Sequence, residues 1–376
     1  MKWLRITFSI VALIVLVAAA GIASLVYFID PNKMRPVLVE EVMRKTGYQL
    51  AIYEKLSWSV YPRLGINVVR MTLTAPEQSE PFLDLHNVTI GTELLDLIKG
   101  RSQLQGDVRI SNIQLMGIQA QNAHVVLQWK DRVLTLEPIV AYMYGGVLHG
   151  LANGRNLESV PKWDWDLRLT HVQIQPLLSD ANRGKVKMKI NGTGQLMVQA
   201  STQGLTREQL INNLNGKAGI TIQDGIVEGM DLNYLVQTAD QLINKVPVTP
   251  PTNNLTETKF DRLTGSIDIK DGIVKSDNLY LTTSALIAKA QGTYVILSQT
   301  IDLALKVTPQ QQLSQWEIPI QVSGNLADPD VRLDTLEIQK LIVKEEASKV
   351  RDKVKEQVKE HIPGKAGDMI QRFLGS

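Results

Sequence analysis

Apolar and polar residues alternate along this chain, with few interruptions, from about residue 48 to Val322. The alternation is clearest at 163–169, 186–190, 301–307 and 316–322. Successive side chains of an extended strand point to opposite faces, so a period of two predicts half-buried β-strands with one apolar and one polar face. We therefore expect a mostly β protein built around one long antiparallel sheet.

Turn dipeptides separate many of these predicted strands. Examples are Gly145-Gly146, Asp224-Gly225 and Asp271-Gly272, which are residue pairs that favour tight hairpins. The last two belong to an internal repeat, because residues 219–227 resemble residues 266–274. Both copies are interpreted as strand, Asp-Gly turn and strand, and two copies are fewer than a solenoid needs.

The N-terminus predicts a membrane anchor. Residues Ile6 to Ile29 carry no charge, and this run is longer than the roughly 20 residues that a helix needs to cross a bilayer. The alternative is a cleaved signal peptide, whose apolar region is usually about 7–15 residues long. We expect residues 1–30 to be a short cytoplasmic tail and a single transmembrane helix, with the bulk of the protein on the other side of the membrane.

The remaining chain is expected to form a β domain at 31–334, which opens with a short helix at about 32–46 and is followed by C-terminal amphipathic helices at 335–376. The first of these helices, at about 336–361, carries a narrow apolar stripe of Val343, Ala347, Val350, Val354 and Val358. We favour packing of this stripe on the sheet. The alternative is an arm for a partner or a membrane surface.

The apolar face of the predicted sheet has to be covered. Roughly 15 strands spaced about 4.8 Å apart would extend on the order of 70 Å. Helical periodicity interrupts them only at about 206–214 and in an insertion at about 230–245, which is too little to cover such a face. Two arrangements stay open: a sandwich about 10 Å between layers, or a groove filled by another molecule, for which acyl chains are the obvious candidates.

Several classes of chemistry find no support in the sequence. The chain has no cysteine and five histidines, and none of these histidines has the spacing of a zinc-protease motif. We found no phosphate-binding loop, dinucleotide fingerprint or nucleophile elbow. A net charge of +2 argues against a nucleic-acid partner. We expect no enzyme activity, no catalytic residues, no metal site and no cofactor.

The order of several motifs resembles the AsmA family of bacterial envelope proteins. The motifs are Thr46–Leu50 with Leu56–Ile66, the segment Thr89–Gly100 followed by Val108–Ile110, the hairpin Tyr144–Gly150, the paired Asp-Gly segments, and the closing stretch Val322–Val331. The resemblance implies a single-pass inner-membrane protein with its N-terminus in the cytoplasm and a long curled antiparallel β-sheet, groove-like or taco-like, in the periplasm.

The resemblance also implies a function. The groove would hold phospholipid acyl chains and take part in lipid transport between membranes and in outer-membrane homeostasis, with an envelope protein as a possible partner of the C-terminal helix. The alternative is a non-enzymatic assembly factor or scaffold for outer-membrane proteins. Trp163 and Trp165 are expected in the core or the groove lining. The expected lining residues are Val186, Met188, Ile190, Ile220, Ile222, Ile267, Ile269, Ile301, Leu303, Leu305, Trp316, Ile318 and Ile320.

Overall fold

The structure is a computed structural model that describes residues 30–59, 64–75, 78–92, 104–115, 117–181, 184, 189–250, 257–310 and 316–361. The predicted membrane span, Val186, Met188 and the end of the chain from residue 362 lie outside these residues. Within the described part, no helix combines the length and the apolar character that crossing a bilayer requires.

Seventeen strands, assigned to one antiparallel sheet, confirm the mostly β class. They are β1 (Gln49–Ile52), β2 (Ser57–Ser59), β3 (Leu64–Thr74), β4 (Leu83–Thr92), β5 (Leu104–Leu115), β6 (Ile118–Lys130), β7 (Val133–Met143), β8 (Gly146–Arg155), β9 (Lys162–Gln173), β10 (Lys189–Gln203), β11 (Asn215–Glu228), β12 (Glu257–Lys270), β13 (Ile273–Thr282), β14 (Leu286–Val295), β15 (Thr300–Pro309), β16 (Ile318–Asn325) and β17 (Asp328–Leu333).

A 3-10 turn at Pro31–Met34 and five α-helices accompany the strands in the described residues. The helices are α1 (Arg35–Thr46), α2 (Ile174–Ala181), α3 (Arg207–Asn212), α4 (Leu232–Ile243) and α5 (Thr335–His361). All except α2 were expected from the sequence. Helix α2 follows β9 without a break, and Pro176 lies in its first turn, where the missing N–H of proline costs little.

The chain divides into two compact units. Unit 1 comprises residues 1–185, 193–219 and 268–272, and unit 2 comprises residues 186–192, 220–267 and 273–376. In unit 1, strands β3 to β9 pair in chain order, each antiparallel to the next. Strand β10 pairs with β9, and the short strands β1 and β2 both pair with β3.

In the core of unit 1, strands β3 to β6 each have one place where successive core-facing residues are three apart and not two. These places form a row across the four strands, and beyond it the odd–even pattern of apolar residues is reversed. Leu85 and Val88 of β4 both point into the core although they are three residues apart, and Asn87 between them has a left-handed φ of 51°. The same spacing joins Ala120 and Ala123 of β6, where Asn122 has a φ of 49°. The apolar side chains therefore stay on one face along the whole strand.

This row lies at matching register in all four strands. His86 of β4 is opposite Arg70 of β3 and Asn112 of β5, and Asn112 is opposite Gln121 of β6. In β5, Ile110 and Ile113 repeat the three-residue spacing. Beside them the core is completed by Ile52, Leu56, Val68, Met71 and Ala141.

In unit 2, strands β13 to β17 pair in chain order, and two helices cover one end of their apolar face. Helix α4 buries Leu232, Val236, Ala239 and Ile243, and contacts β15, β17 and α5. Helix α5 contacts β16 and buries Ile338. At this end of unit 2, helices therefore cover the apolar face.

The apolar stripe of α5 does not pack as expected. Val343 and Val350 are 65% and 62% exposed, and Val354 is exposed as well. The helix is instead held near its start, where Asp334 accepts hydrogen bonds from the backbone of Leu336 and Glu337 at 3.1 Å. The prediction that the stripe lies on the sheet is wrong for these valines, because the buried side of α5 is the one that carries Ile338.

The two Asp-Gly pairs of the repeat differ. Asp271-Gly272 forms the predicted turn, whereas Asp224-Gly225 lies inside the continuous strand β11. Asp224 has a φ of 50°, and a Cβ added at Gly225 would lie 2.2 Å from the ring of Phe260. The glycine therefore makes room for an aromatic side chain, and the predicted turn at this pair is wrong.

A buried hydroxyl fixes the start of α4. Thr258 Oγ1 accepts a hydrogen bond from the Leu232 N–H at 2.9 Å and donates one to the Met230 carbonyl at 2.7 Å. Asp231 accepts a further bond from the Tyr234 N–H at 3.0 Å. Because Thr258 is 1% exposed, both backbone groups would otherwise lack a partner away from water.

Replacing Thr258 with valine should lower the free energy of unfolding by about 1–3 kcal/mol, because two buried backbone groups lose their partner. Urea unfolding followed by tryptophan fluorescence measures this change. Thr238→Val is the matched control, since the buried hydroxyl of Thr238 has no hydrogen-bond partner among the described residues. Equal losses in the two variants would contradict the role of Thr258.

Candidate functional site

The apolar face of unit 1 continues beyond the core toward the opposite strand ends. We use rung for a row of residues that lie directly opposite one another on neighbouring strands. One rung across six paired strands consists of apolar residues only. Its members, in order from β5 to β10, are Gly106, Leu127, Leu136, Ala152, Trp165 and Ala200. All of them except Ala152 are only half-buried, so this end of the face is less covered than the core.

The next rung adds Trp163 of β9, which lies on the same face as Trp165 of the first rung. Trp163 and Trp165 stack with ring centroids 5.4 Å apart. A Cβ added at Gly154 would lie 2.8 Å from the ring of Trp163, so the tryptophan lies over a residue that has no side chain. Small residues such as Gly106, Ala152 and Gly154 lie among the larger side chains, so parts of this apolar surface are close to the backbone.

We call these residues the unit 1 floor: Gly106, Val125, Leu127, Trp129, Leu134, Leu136, Ala152, Gly154, Trp163, Trp165, Leu167 and Ala200. Five strand spacings of about 4.8 Å make the floor about 24 Å wide. The expectation for Trp163 and Trp165 fits this position. Leu167 belongs to the predicted alternation at 163–169. The other floor residues were not singled out from the sequence, although alternation at 125–129 and 134–136 is a signal that could have indicated them.

The opposite face of unit 1 is polar and paired. Arg70 donates two hydrogen bonds to the carboxylate of Asp84, at 3.2 and 2.8 Å, and lies 4.7 Å from the centroid of the Tyr53 ring. The hydrogen bonds from Arg70 lower the pKa of Asp84. His86 lies 3.2 Å from the same carboxylate. These charged groups are paired with one another on the polar face. The apolar face carries no charged group at the rungs described above.

Tyr144 fixes α2 at one end of unit 1. Its hydroxyl donates to Asp180 Oδ2 at 2.7 Å and accepts from the Gln119 N–H at 2.9 Å. Tyr144 itself forms the turn between β7 and β8, with a left-handed φ of 48°. Burial, helped by the bond to Asp180, raises the pKa of Tyr144 to about 12.

Burial of the apolar face of unit 2 decreases along its strands. At the end covered by helices, Val307 and Ile318 are fully buried and lie opposite each other, as do Leu305 and Ile320. At the other end, Ile301 and Leu303 are half-buried. Ile301 lies opposite Gly324, which supplies no side chain to cover it.

The expected lining residues fall into three groups. Ile222, Leu305, Ile318 and Ile320 are 2%, 8%, 0% and 1% exposed and belong to the protein core. The half-buried group consists of Ile190, Ile220, Ile267, Ile269, Ile301, Leu303 and Trp316. Val186 and Met188 lie outside the described residues.

The arrangement favours binding of an apolar ligand. Both units present half-buried aliphatic side chains at the less covered end of an apolar face, beside exposed polar residues of the same strands. Among the described residues, no group of three or more histidine, aspartate or glutamate side chains is placed to hold a metal ion.

Comparison with known proteins gives three findings. The model of the AsmA family matches residues 1–117 and 99–279. Protein AsmA of Escherichia coli (strain K12) is 38% identical over 93 residues, which are 25% of this chain and 15% of that protein. The matched stretch thus spans a small part of its relative. No solved structure matches.

Replacing Tyr144 with phenylalanine should lower the free energy of unfolding by about 1–2 kcal/mol, because Asp180 and the Gln119 N–H lose a shared partner. The effect should depend on pH. The folded-state pKa of about 12 lies above the ordinary value of about 10, so the contribution is complete below pH 10 and is lost as the pH rises toward 12.

Thermal unfolding at pH 8 and in steps up to pH 12 tests this. The stability difference between the wild type and Tyr144→Phe should shrink over that range. Tyr142→Phe is the control, because the side chain of Tyr142 is exposed. A difference that stays constant with pH would contradict the assignment.

Proposed function

The chain belongs to the AsmA family of bacterial envelope proteins, and we propose that it holds phospholipid acyl chains on its apolar sheet faces. In this proposal residues 6–29 anchor it in the inner membrane, the β units lie in the periplasm, and the protein takes part in lipid transport between membranes. The protein binds and guides lipid and carries out no chemical reaction.

The unit 1 floor is the observation that carries this proposal. It offers an uncharged surface about 24 Å wide that the described residues leave half-covered. Each methylene group of an acyl chain that leaves water for such a surface contributes about 0.8 kcal/mol. Because no charged side chain lies on these rungs, an acyl chain can shift along them without breaking a polar contact.

The polar head group has to stay in water, since burial of an unpaired charge is costly. The exposed polar residues at alternate positions of the same strands, such as Asp166 and Arg168 on β9, lie on the opposite face of the sheet and leave the apolar face to the acyl chains. A lipid bound in this way is held by its chains, and the binding energy does not depend on one specific head group.

In unit 2, the end of the apolar face that the helices leave less covered is proposed to bind acyl chains as well. Ile301 and Leu303 are half-buried and are the proposed lipid contacts there. Leu305 and Ile320, one rung further along, are packed against protein and support the strands from the core.

Photoreactive residues test the proposal directly in the full-length chain. A photoreactive amino acid at Leu303 or Trp165 should crosslink to phospholipid in cells, whereas the same residue at the neighbouring Ala304 or Asp166 should not, because those side chains are exposed on the opposite face. Crosslinks to outer-membrane proteins in place of lipid would favour an assembly factor. Equal lipid crosslinking at all four positions would overturn the proposed faces.

A charge on the proposed surface should reduce bound lipid. Leu303→Glu should lower the amount of phospholipid that co-purifies with the protein, measured by mass spectrometry, because the carboxylate resists loss of water. Ala304→Glu should leave the amount unchanged. Circular dichroism confirms that both variants fold, and a wild-type protein free of lipid would contradict the proposal.

A further inference from the structure

Three exposed apolar side chains lie around the first turn of α1. Met34, Val37 and Leu38 are 51%, 60% and 44% exposed, and their spacing places them on one side of the helix. We call them the first-turn patch. Further along the same side the helix becomes polar, with Glu41 paired to Arg44.

The other side of this segment is fixed to unit 1. The Asn32 side chain donates to the Leu56 carbonyl at 3.0 Å and accepts from the Leu56 N–H at 2.8 Å. Arg35 donates to the carbonyl of Ile52, and Pro31 is buried. The patch therefore has a fixed orientation relative to β1 and to the loop before β2.

The first-turn patch follows closely after the proposed membrane anchor in the sequence. The uncharged run proposed as the membrane anchor ends at Ile29, and only Asp30 and the 3-10 turn Pro31–Met34 separate it from α1. Four residues of 3-10 helix advance about 8 Å. The head-group layer on each side of a bilayer is about 5–8 Å thick. The patch thus begins no more than about 8 Å from the end of the apolar run, a distance similar to the thickness of that layer.

We infer that the first-turn patch inserts into the surface of the bilayer that the anchor crosses. This inference rests on the anchor in the proposed function. Three side chains are far fewer than the roughly 20–30 residues per side of a specific protein interface. A lipid surface requires no matching partner, and Lys33 beside the patch is exposed and able to meet lipid phosphates.

The insertion has a structural consequence. One transmembrane segment alone leaves the attached domain free to tilt, whereas a second contact made by a rigidly held helix restricts that tilt. Because Asn32 and Arg35 tie the segment to β1 and the neighbouring loop, the patch determines how unit 1 meets the membrane surface.

Spin labels test the inference, and the absence of cysteine makes single-cysteine variants straightforward. Full-length Val37→Cys, Leu38→Cys, Glu40→Cys and Leu16→Cys are labelled and reconstituted in vesicles of phosphatidylethanolamine and phosphatidylglycerol. Collision with oxygen is compared with collision with a water-soluble nickel chelate. Labels at 37 and 38 should shift toward the oxygen preference of the label at 16, whereas the exposed control at 40 should favour the nickel chelate.

The outcomes separate the inference from the anchor. Nickel access at 37 and 38 equal to that at 40, with the label at 16 in lipid, overturns the inference and leaves the anchor intact. Nickel access at 16 overturns the anchor. Dipolar broadening between labels at 37 shows contact with a second copy and overturns the inference. An oxygen preference that persists in about 1 M salt, where the Debye length is about 3 Å, supports apolar insertion.

Discussion

Burial of the apolar strand faces is the interaction on which the other features of this protein depend. An antiparallel sheet with one apolar face gains stability only when something covers that face. In unit 2, α4 and α5 do so at one end, around Ile318 and Ile320. In unit 1, Ile52 and Leu56 pack in one buried cluster with the strand residues Val88 and Ala123. Each unit therefore combines a well-packed end, which stabilises the fold, with a less covered end that is available to a ligand.

Local signals made most elements predictable from the sequence. The period of two at 163–169 and 301–307 became β9 and β15. Helix α4 lies within the insertion expected at about 230–245 and is capped by Asp231. Thr206, at the start of the helix expected at about 206–214, caps α3 through a capping box with Gln209. Such caps act over three or four residues, so a sequence displays them completely.

The division of the apolar residues into core and candidate site could not be predicted, because it depends on contacts between distant segments. Leu303 and Leu305 are equivalent in the sequence pattern, yet Leu305 is buried and Leu303 is half-buried. The Asp-Gly pair at 224 was misinterpreted for a similar reason, since Phe260, which lies over Gly225, comes from another strand. Helix α2 was missed although Ile174, Leu177 and Leu178 have helical spacing, because eight residues directly after a strand give only a short signal.

The row of reversed phase at Asn87 and Asn122 constrains how this chain can change in length. Deleting Asn87 would restore a regular zigzag in β4, with Leu83, Leu85 and Val88 still on one face. The strand would then be one residue shorter than β3 and β5 across this row, so its pairing on one side of the row would slip out of register. Because the neighbouring strands have their three-residue spacing at the same register, a deletion in one strand alone would shift its pairing relative to the strands on both sides. Insertions and deletions at this row are therefore tolerable only when they occur in several strands together.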